Sequence, residues 1–171
     1  MQKKKDNVTF EGNPLTISGM LPKIGQVAPD FTVLANDLTS VSLAQHHGKV
    51  LVICAVPSLD TPVCDAETRR FNTAATALGE QVEIWTISMD LPFAQQRWCG
   101  AAGVDHVQTL SDHRDASFGI AYGILIQELR LLARAIFIID ANGTIAYQEL
   151  VHEMTDEPDY EAALKAVRQL L

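Results

Sequence analysis

A continuous apolar run in the first third of the chain predicts a central β-strand. Residues 49–56, KVLVICAV, are apolar without alternation after the lysine, which is typical of a strand buried on both faces of a sheet. A helix is predicted from Pro62 to Leu78, because apolar and small residues recur there at helical spacing and Gly79 suits a C-terminal cap. A second β-rich run, VEIWTIS at 82–88, follows directly.

The remaining pattern predicts an α/β domain. Two β-rich runs, NVTF and LTIS, flank EGNP and predict an N-terminal β-hairpin. The other predicted elements are an extended segment and strand at 21–34, a short continuation at 41–43, helices at 91–103, 115–123 and 159–171, a strand followed by a loop at 106–112, and strands at 134–140 and 144–151. We therefore expect a central mixed sheet with helices on both faces. This order matches a thioredoxin-like fold, although composition alone also allows other α/β sandwiches.

Composition narrows the class of protein and the kind of partner. The 171 residues predict a single domain over 1–171, with 1–6 as a flexible tail. A net charge of −8 argues against binding to nucleic acid or to an anionic membrane surface. No apolar stretch has the length of a signal peptide or of a membrane-spanning helix. Three cysteines are too few for a disulfide scaffold, so a reducing cytoplasm is expected.

The five histidines and the glycines add no further chemistry. None of the histidines has the spacing of a metal site, and no glycine motif of the phosphate-binding kind is present. The sequence therefore predicts neither a metal nor a cofactor.

The joint between the apolar strand and the first helix carries the most specific chemistry. Its sequence is PSLDTPVC, in which Thr61 suits the N-cap and Pro62 the first helical position. Cys64 then falls in the first helical turn, where unpaired amides and the helix dipole stabilise negative charge. Thiolates are the reactive form of cysteine, so this position favours a reactive thiol. The Thr61 hydroxyl is expected to reach the sulfur or a group bound to it.

Two local features weaken that interpretation. Asp65 and Glu67 lie in the same turns, and their charge opposes a thiolate. Arg69 and Arg70 point away from the cysteine face, so a stabilising cation has to come from elsewhere in the fold. From local reasoning alone, a buried and unreactive thiol at Cys64 remains an alternative.

Several motifs together resemble one known family. Pro57, Thr61 and Cys64 occupy the fixed positions of P-x-x-x-T-x-x-C, the signature of peroxiredoxins. Four further segments, VTFEGNPLTISG, SMDLPFAQQRWCG, LARAIFIID and TDEPDYEAALKAV, are similar to bacterial thiol peroxidases of the atypical 2-Cys branch, in the same order along the chain. The resemblance extends from about residue 7 to the C-terminus.

The resemblance implies a thiol-dependent peroxidase that reduces hydrogen peroxide and organic hydroperoxides. Cys64 matches the nucleophile that becomes a sulfenic acid. Thr61 matches the residue that hydrogen-bonds the reacting atoms, and Pro57 the residue that shields the sulfur. Arg134 matches the missing cation, although by itself it reads as an exposed cation at a strand edge.

The same resemblance implies how the cycle is completed. Cys99 matches the resolving cysteine, which would form an intramolecular disulfide with Cys64 after local unwinding of both helices. Without the resemblance Cys99 reads as a helix-packing thiol, and Cys54 reads as a small buried hydrophobe in either case. The family further implies thioredoxin as the reductant and a homodimer as the assembly.

Two other classes of function remain open from the residues. A cysteine hydrolase or acyl transferase is possible if a histidine base lies beside Cys64. A redox-sensing interaction module on the same fold is the non-enzymatic alternative.

Overall fold

The structure, a computed structural model, describes residues 3–171, with side chains from residue 8 onward. Its strands are β1 Lys3–Phe10, β2 Asn13–Ser18, β3 Thr32–Leu34, β4 Ser40–Ser42, β5 Val50–Ala55, β6 Val82–Ser88, β7 Gln108–Ser111, β8 Leu125–Ile126, β9 Leu131–Leu132, β10 Ala135–Ile139 and β11 Ile145–Leu150. Its helices are α1 Pro62–Leu78, α2 Pro92–Ala102, α3 Ser117–Ala121 and α4 Tyr160–Arg168, with a 3₁₀ turn at Leu43–Gln45. No helix in this described range is long and apolar enough to cross a membrane.

A seven-stranded mixed sheet forms the centre of the molecule, in the order β11-β10-β5-β6-β7-β3-β4. Strands β5, β6 and β7 run parallel, whereas β10 pairs antiparallel with β5. The predicted α/β class and central mixed sheet are confirmed. The bounds of α1 and β6 agree with the sequence prediction because Pro62 and Gly79 mark the helix ends clearly.

Strand β5 is buried on both faces, as its unbroken apolar pattern predicts. Leu51 and Ile53 face one apolar cluster, whereas Val52 and Cys54 face another that α1 and α4 cover. Cys54 is fully buried among these side chains. Burial and the charge of Glu67 raise the pKa of the Cys54 thiol well above its usual range, so it stays protonated and packs as a small apolar group.

A second, four-stranded sheet in the order β1-β2-β8-β9 covers one side of the core. The hairpin of β1 and β2 is present as predicted, and its turn places Glu11 and Gly12 at φ 49° and 80°. Strands β8 and β9 were not predicted, since two-residue strands leave no periodic pattern.

The hairpin is longer than the sequence suggested. A flexible tail was expected over residues 1–6, but β1 starts at Lys3, which pairs with Ser18. Residues 1 and 2 lie outside the described part. Three consecutive lysines carry no apolar alternation, so no periodic pattern indicates an edge strand at this position.

The tip of the hairpin binds the segment before α4. Backbone hydrogen bonds join Thr9 to the carbonyl of His152 and Met154 to the carbonyl of Thr9. The Glu153 carboxylate accepts the Thr9 hydroxyl at 3.0 Å and the Gly12 amide at 2.8 Å. These contacts hold the N-terminal hairpin close to the start of α1.

Candidate active site

Cys64 lies in the first turn of α1, as predicted. Thr61 is the N-cap residue with extended backbone angles, and Pro62 begins the helix. The amide of Asp65 closes the first turn on the Thr61 carbonyl at 3.0 Å. The thiol is fully buried and packs with Val56, Leu59 and Trp98.

One detail of the predicted cap is wrong. The Thr61 side chain makes no capping bond to the helix. Its hydroxyl instead donates to the carbonyl of Ser58 at 2.9 Å. The hydroxyl therefore braces the turn before the helix and caps none of the first amides of α1.

Arg134 supplies a cation directly beside the sulfur. Its Nη2 lies 3.2 Å from Cys64 Sγ and also donates to the Met154 carbonyl at 3.0 Å. The guanidinium is 1% exposed, so its interpretation as an exposed strand-edge cation is wrong. Arg134 precedes β10, which pairs antiparallel with β5 so that Ala135 faces Ala55. This register places it at the end of β5, next to the start of α1.

Glu67 is the site residue whose partner sequence reasoning missed. It was expected to oppose a thiolate, yet its Oε2 accepts a hydrogen bond from Arg134 Nη1 at 2.6 Å. The side chain is fully buried, and its other oxygen has no protein partner among the described residues. Its position three residues after Cys64 was a usable signal, because that spacing places both on one helix face.

The charges of this buried group are coupled. Burial raises the pKa of Glu67 to about 7, although Arg134 acts in the opposite direction. Burial alone would lower the pKa of Arg134, but the charges of Cys64 and Glu67 raise it above its usual value. The guanidinium therefore remains protonated, and one fixed positive charge faces both the sulfur and the carboxyl.

Asp65, the second acid expected to oppose a thiolate, is bound elsewhere. It pairs with Arg69 at 2.8 Å and accepts the indole N–H of Trp98 at 2.9 Å. Trp98 is the residue before Cys99 on α2, so this contact joins the first turn of α1 to the part of α2 that carries Cys99.

An apolar groove leads to this cluster from the surface. Its volume is about 250 Å³. The residues that line it are Phe10, Pro57, Thr61, Pro62, Val63, Arg134, Met154 and Thr155. Three of the predicted site residues therefore share one groove, and a small uncharged molecule with an apolar part fits its walls.

Cys99 lies apart from this cluster. It is half-buried on α2, and its sulfur is 3.3 Å from the hydroxyl of Thr109. That hydroxyl donates to the Asn36 side chain at 3.1 Å. Both Cys64 and Cys99 are free thiols with different partners. A disulfide between them requires Cα atoms within roughly 7 Å and matched side-chain directions, whereas here each sulfur contacts a different side chain.

The hydrolase or acyl-transferase alternative needs a histidine base beside Cys64. Arg134 is the ionisable side chain that hydrogen-bonds Cys64, and no histidine takes that place in the described part of the chain. Over the same residues, no group of three or more His, Cys, Asp and Glu side chains is arranged to hold a metal ion. The site therefore consists of the buried Cys64 thiol, Arg134 beside it and the N-terminal turn of α1.

Comparison with known proteins agrees with this geometry. The sequence profile of the Redoxin family matches residues 23–164. The thiol peroxidase of Bacillus subtilis (strain 168) is 56% identical over 96% of this chain and 98% of its own length. The thiol peroxidase of Oceanobacillus iheyensis is 59% identical over 92% of this chain and 96% of its own length.

Solved structures show the same fold. A peroxiredoxin-like protein from Aquifex aeolicus superposes with a TM-score of 0.91 at 40% identity, and each chain is covered completely. A thiol peroxidase from Chromobacterium violaceum superposes with a TM-score of 0.84 at 22% identity over 95% of each chain. The second match concerns the fold alone.

Proposed function

This chain belongs to the Redoxin family and is a thiol-dependent peroxidase, and from that premise we propose that Cys64 is its nucleophile. The observation that carries the proposal is the 3.2 Å contact between Cys64 Sγ and Arg134 Nη2 inside the buried first turn of α1. A thiolate is the nucleophilic form of cysteine, and it is stabilised by helix N-termini and adjacent cations. Both features meet at this sulfur.

The proposed first step transfers one peroxide oxygen to the sulfur. The Cys64 thiolate attacks that oxygen, the O–O bond breaks, and the departing oxygen takes up a proton to leave as water or an alcohol. The sulfur becomes a sulfenic acid. Arg134 and the amides at the start of α1 stabilise the charge that develops on the oxygens. Thr61 positions the turn, and Pro57 shields the sulfur from bulk water at the groove.

The shape of the groove supports hydrogen peroxide and organic hydroperoxides as substrates. Phe10, Val63 and Met154 contribute apolar walls, while the polar end holds Arg134. An uncharged hydroperoxide with a hydrocarbon substituent matches both parts. The peroxide group would face the sulfur, and the substituent would lie along the walls.

The second step uses Cys99 as the resolving thiol. The Cys99 thiolate attacks the sulfenic sulfur of Cys64, a disulfide forms, and the hydroxyl leaves as water. Trp98 packs against Cys64 and binds Asp65, so movement of the start of α1 also moves the residue next to Cys99. A dithiol reductant of the thioredoxin type returns the disulfide to two thiols by exchange.

The remaining expectations concern the state of the protein in the cell. We propose that residues 1–171 act as one domain, that two copies form a homodimer, and that the enzyme works in the cytoplasm. The small number of cysteines supports a reducing compartment, because three are too few for a disulfide scaffold.

Mass spectrometry after one equivalent of hydrogen peroxide tests the proposal. Trypsin releases Cys64 together with Cys54 on the peptide 50–69 and Cys99 on the peptide 98–114. The test therefore uses Cys54→Ser, in which a link between the two peptides must involve Cys64. We expect that link, the loss of two thiols per peroxide, and neither in Cys64→Ser.

The alternatives give different results in the same experiment. A cysteine hydrolase or acyl transferase would retain its thiols at one equivalent of peroxide. A redox-sensing module would form the link but consume peroxide slowly with a dithiol donor present. Peroxide turnover by Cys64→Ser at the wild-type rate would overturn the proposal.

A further inference from the structure

A single carboxylate holds the turn that precedes Cys64. Asp90, which follows β6, accepts the Ser58 hydroxyl at 2.7 Å and the Leu59 amide at 2.9 Å. The Ser58 hydroxyl also accepts the amide of Asp60 at 3.2 Å. The Ser58 carbonyl binds the hydroxyl and the amide of Thr61. The position of Thr61 therefore depends on Ser58, and that of Ser58 depends on Asp90.

The same carboxylate is connected to the helix that carries Cys99. Asp90 Oδ2 accepts the Ser88 hydroxyl at 2.7 Å, and that hydroxyl accepts the side-chain amide of Gln95 at 3.0 Å. Gln95 is fully buried on α2, one turn before Cys99, and also donates to the Leu110 carbonyl at 2.8 Å. A continuous hydrogen-bonded chain thus runs from the turn before Cys64 to α2.

We propose that Asp90 is a positioning residue that sets the balance between peroxide reaction and disulfide formation. The inference rests on the proposed roles of Cys64 and Cys99. In the structure Cys64 contacts Arg134 and Cys99 contacts Thr109, which is the arrangement suited to peroxide. Disulfide formation requires this arrangement to open, and the bonds to Asp90 stabilise only its closed form.

Opposite effects on the two steps follow from this placement. Hydrogen bonds to an ionised acceptor are the stronger kind, so their loss from the closed form shifts the population toward the open form. A loosened turn positions Thr61 less well and slows the peroxide reaction. The same loosening lets Cys64 and Cys99 meet more often and speeds disulfide formation.

Stopped-flow fluorescence of Trp98 and Trp85 measures both steps in the full-length protein. Asp90→Asn tests the carboxylate, and Ser58→Ala removes one of its partners with a smaller change. Asp140→Asn is the matched control, because Asp140 also accepts two backbone amides in a turn, from Asn142 and Thr144, but lies after β10 and away from Cys64. Each variant is mixed with excess peroxide. The second-order rate constant for oxidation of Cys64 and the first-order rate constant for disulfide formation with Cys99 (resolution) are recorded separately.

We expect Asp90→Asn to raise the ratio of the resolution rate to the oxidation rate by about tenfold relative to wild type, the effect of losing one charge-assisted hydrogen bond from the closed form. Ser58→Ala should move the ratio in the same direction by a smaller factor, and Asp140→Asn should leave it unchanged. A ratio that stays constant in both test variants, or that changes equally in the control, overturns the inference. If the wild type itself forms no link between Cys64 and Cys99, the proposed function fails instead, so the two failures are distinguishable.

Discussion

Replacement of Arg134 by methionine tests two contributions of this residue, one to the stability of the fold and one to the rate of the peroxide reaction. Methionine has a similar length but no charge, so Arg134→Met removes the donors to Cys64, to Glu67 and to the Met154 carbonyl. The carboxyl of Glu67, which is fully buried, loses its counter-charge. Breaking a buried pair by removing one partner costs about 3–5 kcal/mol.

That cost depends on pH because Glu67 can escape it by binding a proton. Burial already raises its folded-state pKa to about 7 with Arg134 in place, from an unfolded value of 4.5. Without Arg134, the folded-state pKa rises further. The folded variant then holds a proton that the unfolded chain has released, so its stability falls as the pH rises from about 4.5 up to the raised pKa. The slope reaches about 1.4 kcal/mol per pH unit for one proton.

Urea unfolding at pH 6 and pH 8 measures this effect. We expect Arg134→Met to lose clearly more stability at pH 8 than at pH 6, relative to wild type. The double variant Glu67→Gln/Arg134→Met should recover most of the loss at pH 8, because no charge is left buried. Peroxide reaction is expected to fall by about 10²–10³ in both variants, since neither retains the donor beside the sulfur.

Two results would refute this reasoning. An equal loss of stability at both pH values would show that Glu67 does not become an unpaired buried charge. A double variant that reacts with peroxide at the wild-type rate would show that Arg134 acts only on stability. Gel filtration and circular dichroism of each variant provide the control that the fold is retained.

Three further predictions concern other parts of the molecule. Cys99→Ser should consume one equivalent of peroxide and stop as a sulfenic acid that dimedone traps; several turnovers with a thioredoxin-type donor would contradict a resolving role. Backbone hydrogen bonds from Gly12 and Thr155 lower the pKa of Glu153 to about 2. The stability that this carboxylate contributes should therefore be lost as the pH falls from about 4.5 to 2. Acid titration of Glu153→Gln should not show that loss. Gly123→Ala should lower the free energy of unfolding by more than about 2 kcal/mol, since φ is 66° and the added carbon would lie against the Met20 backbone. Gly143→Ala is the control, because φ is 87° but the space around it is open, and it should cost about 1 kcal/mol in urea unfolding.

The fold was largely predictable because its patterns are local. An unbroken apolar run identifies β5, and Pro62 with Gly79 brackets α1. Strands β8 and β9 were missed because two residues have no period, and β1 was shortened because its lysines are polar. Each of these strands is defined by pairing with a partner rather than by its own composition.

The site was predictable only in part. Local residue preferences are enough to predict that the helix starts at Thr61. They also place Cys64 in its first turn. Thr61 is the N-cap residue as expected, yet its hydroxyl makes no cap bond and binds the Ser58 carbonyl, because turn geometry before a helix is not encoded by residue type alone. Arg134 was matched only through family resemblance.

The sequence by itself determined the order of strands and helices, the helix start that presents Cys64, and the family. Tertiary structure decided the electrostatics, because the antiparallel register of β10 on β5 brings Arg134 to a sulfur 70 residues away. It also decided that Glu67 binds that arginine. Burial is the physical reason for both, since charges removed from water must find partners across the fold.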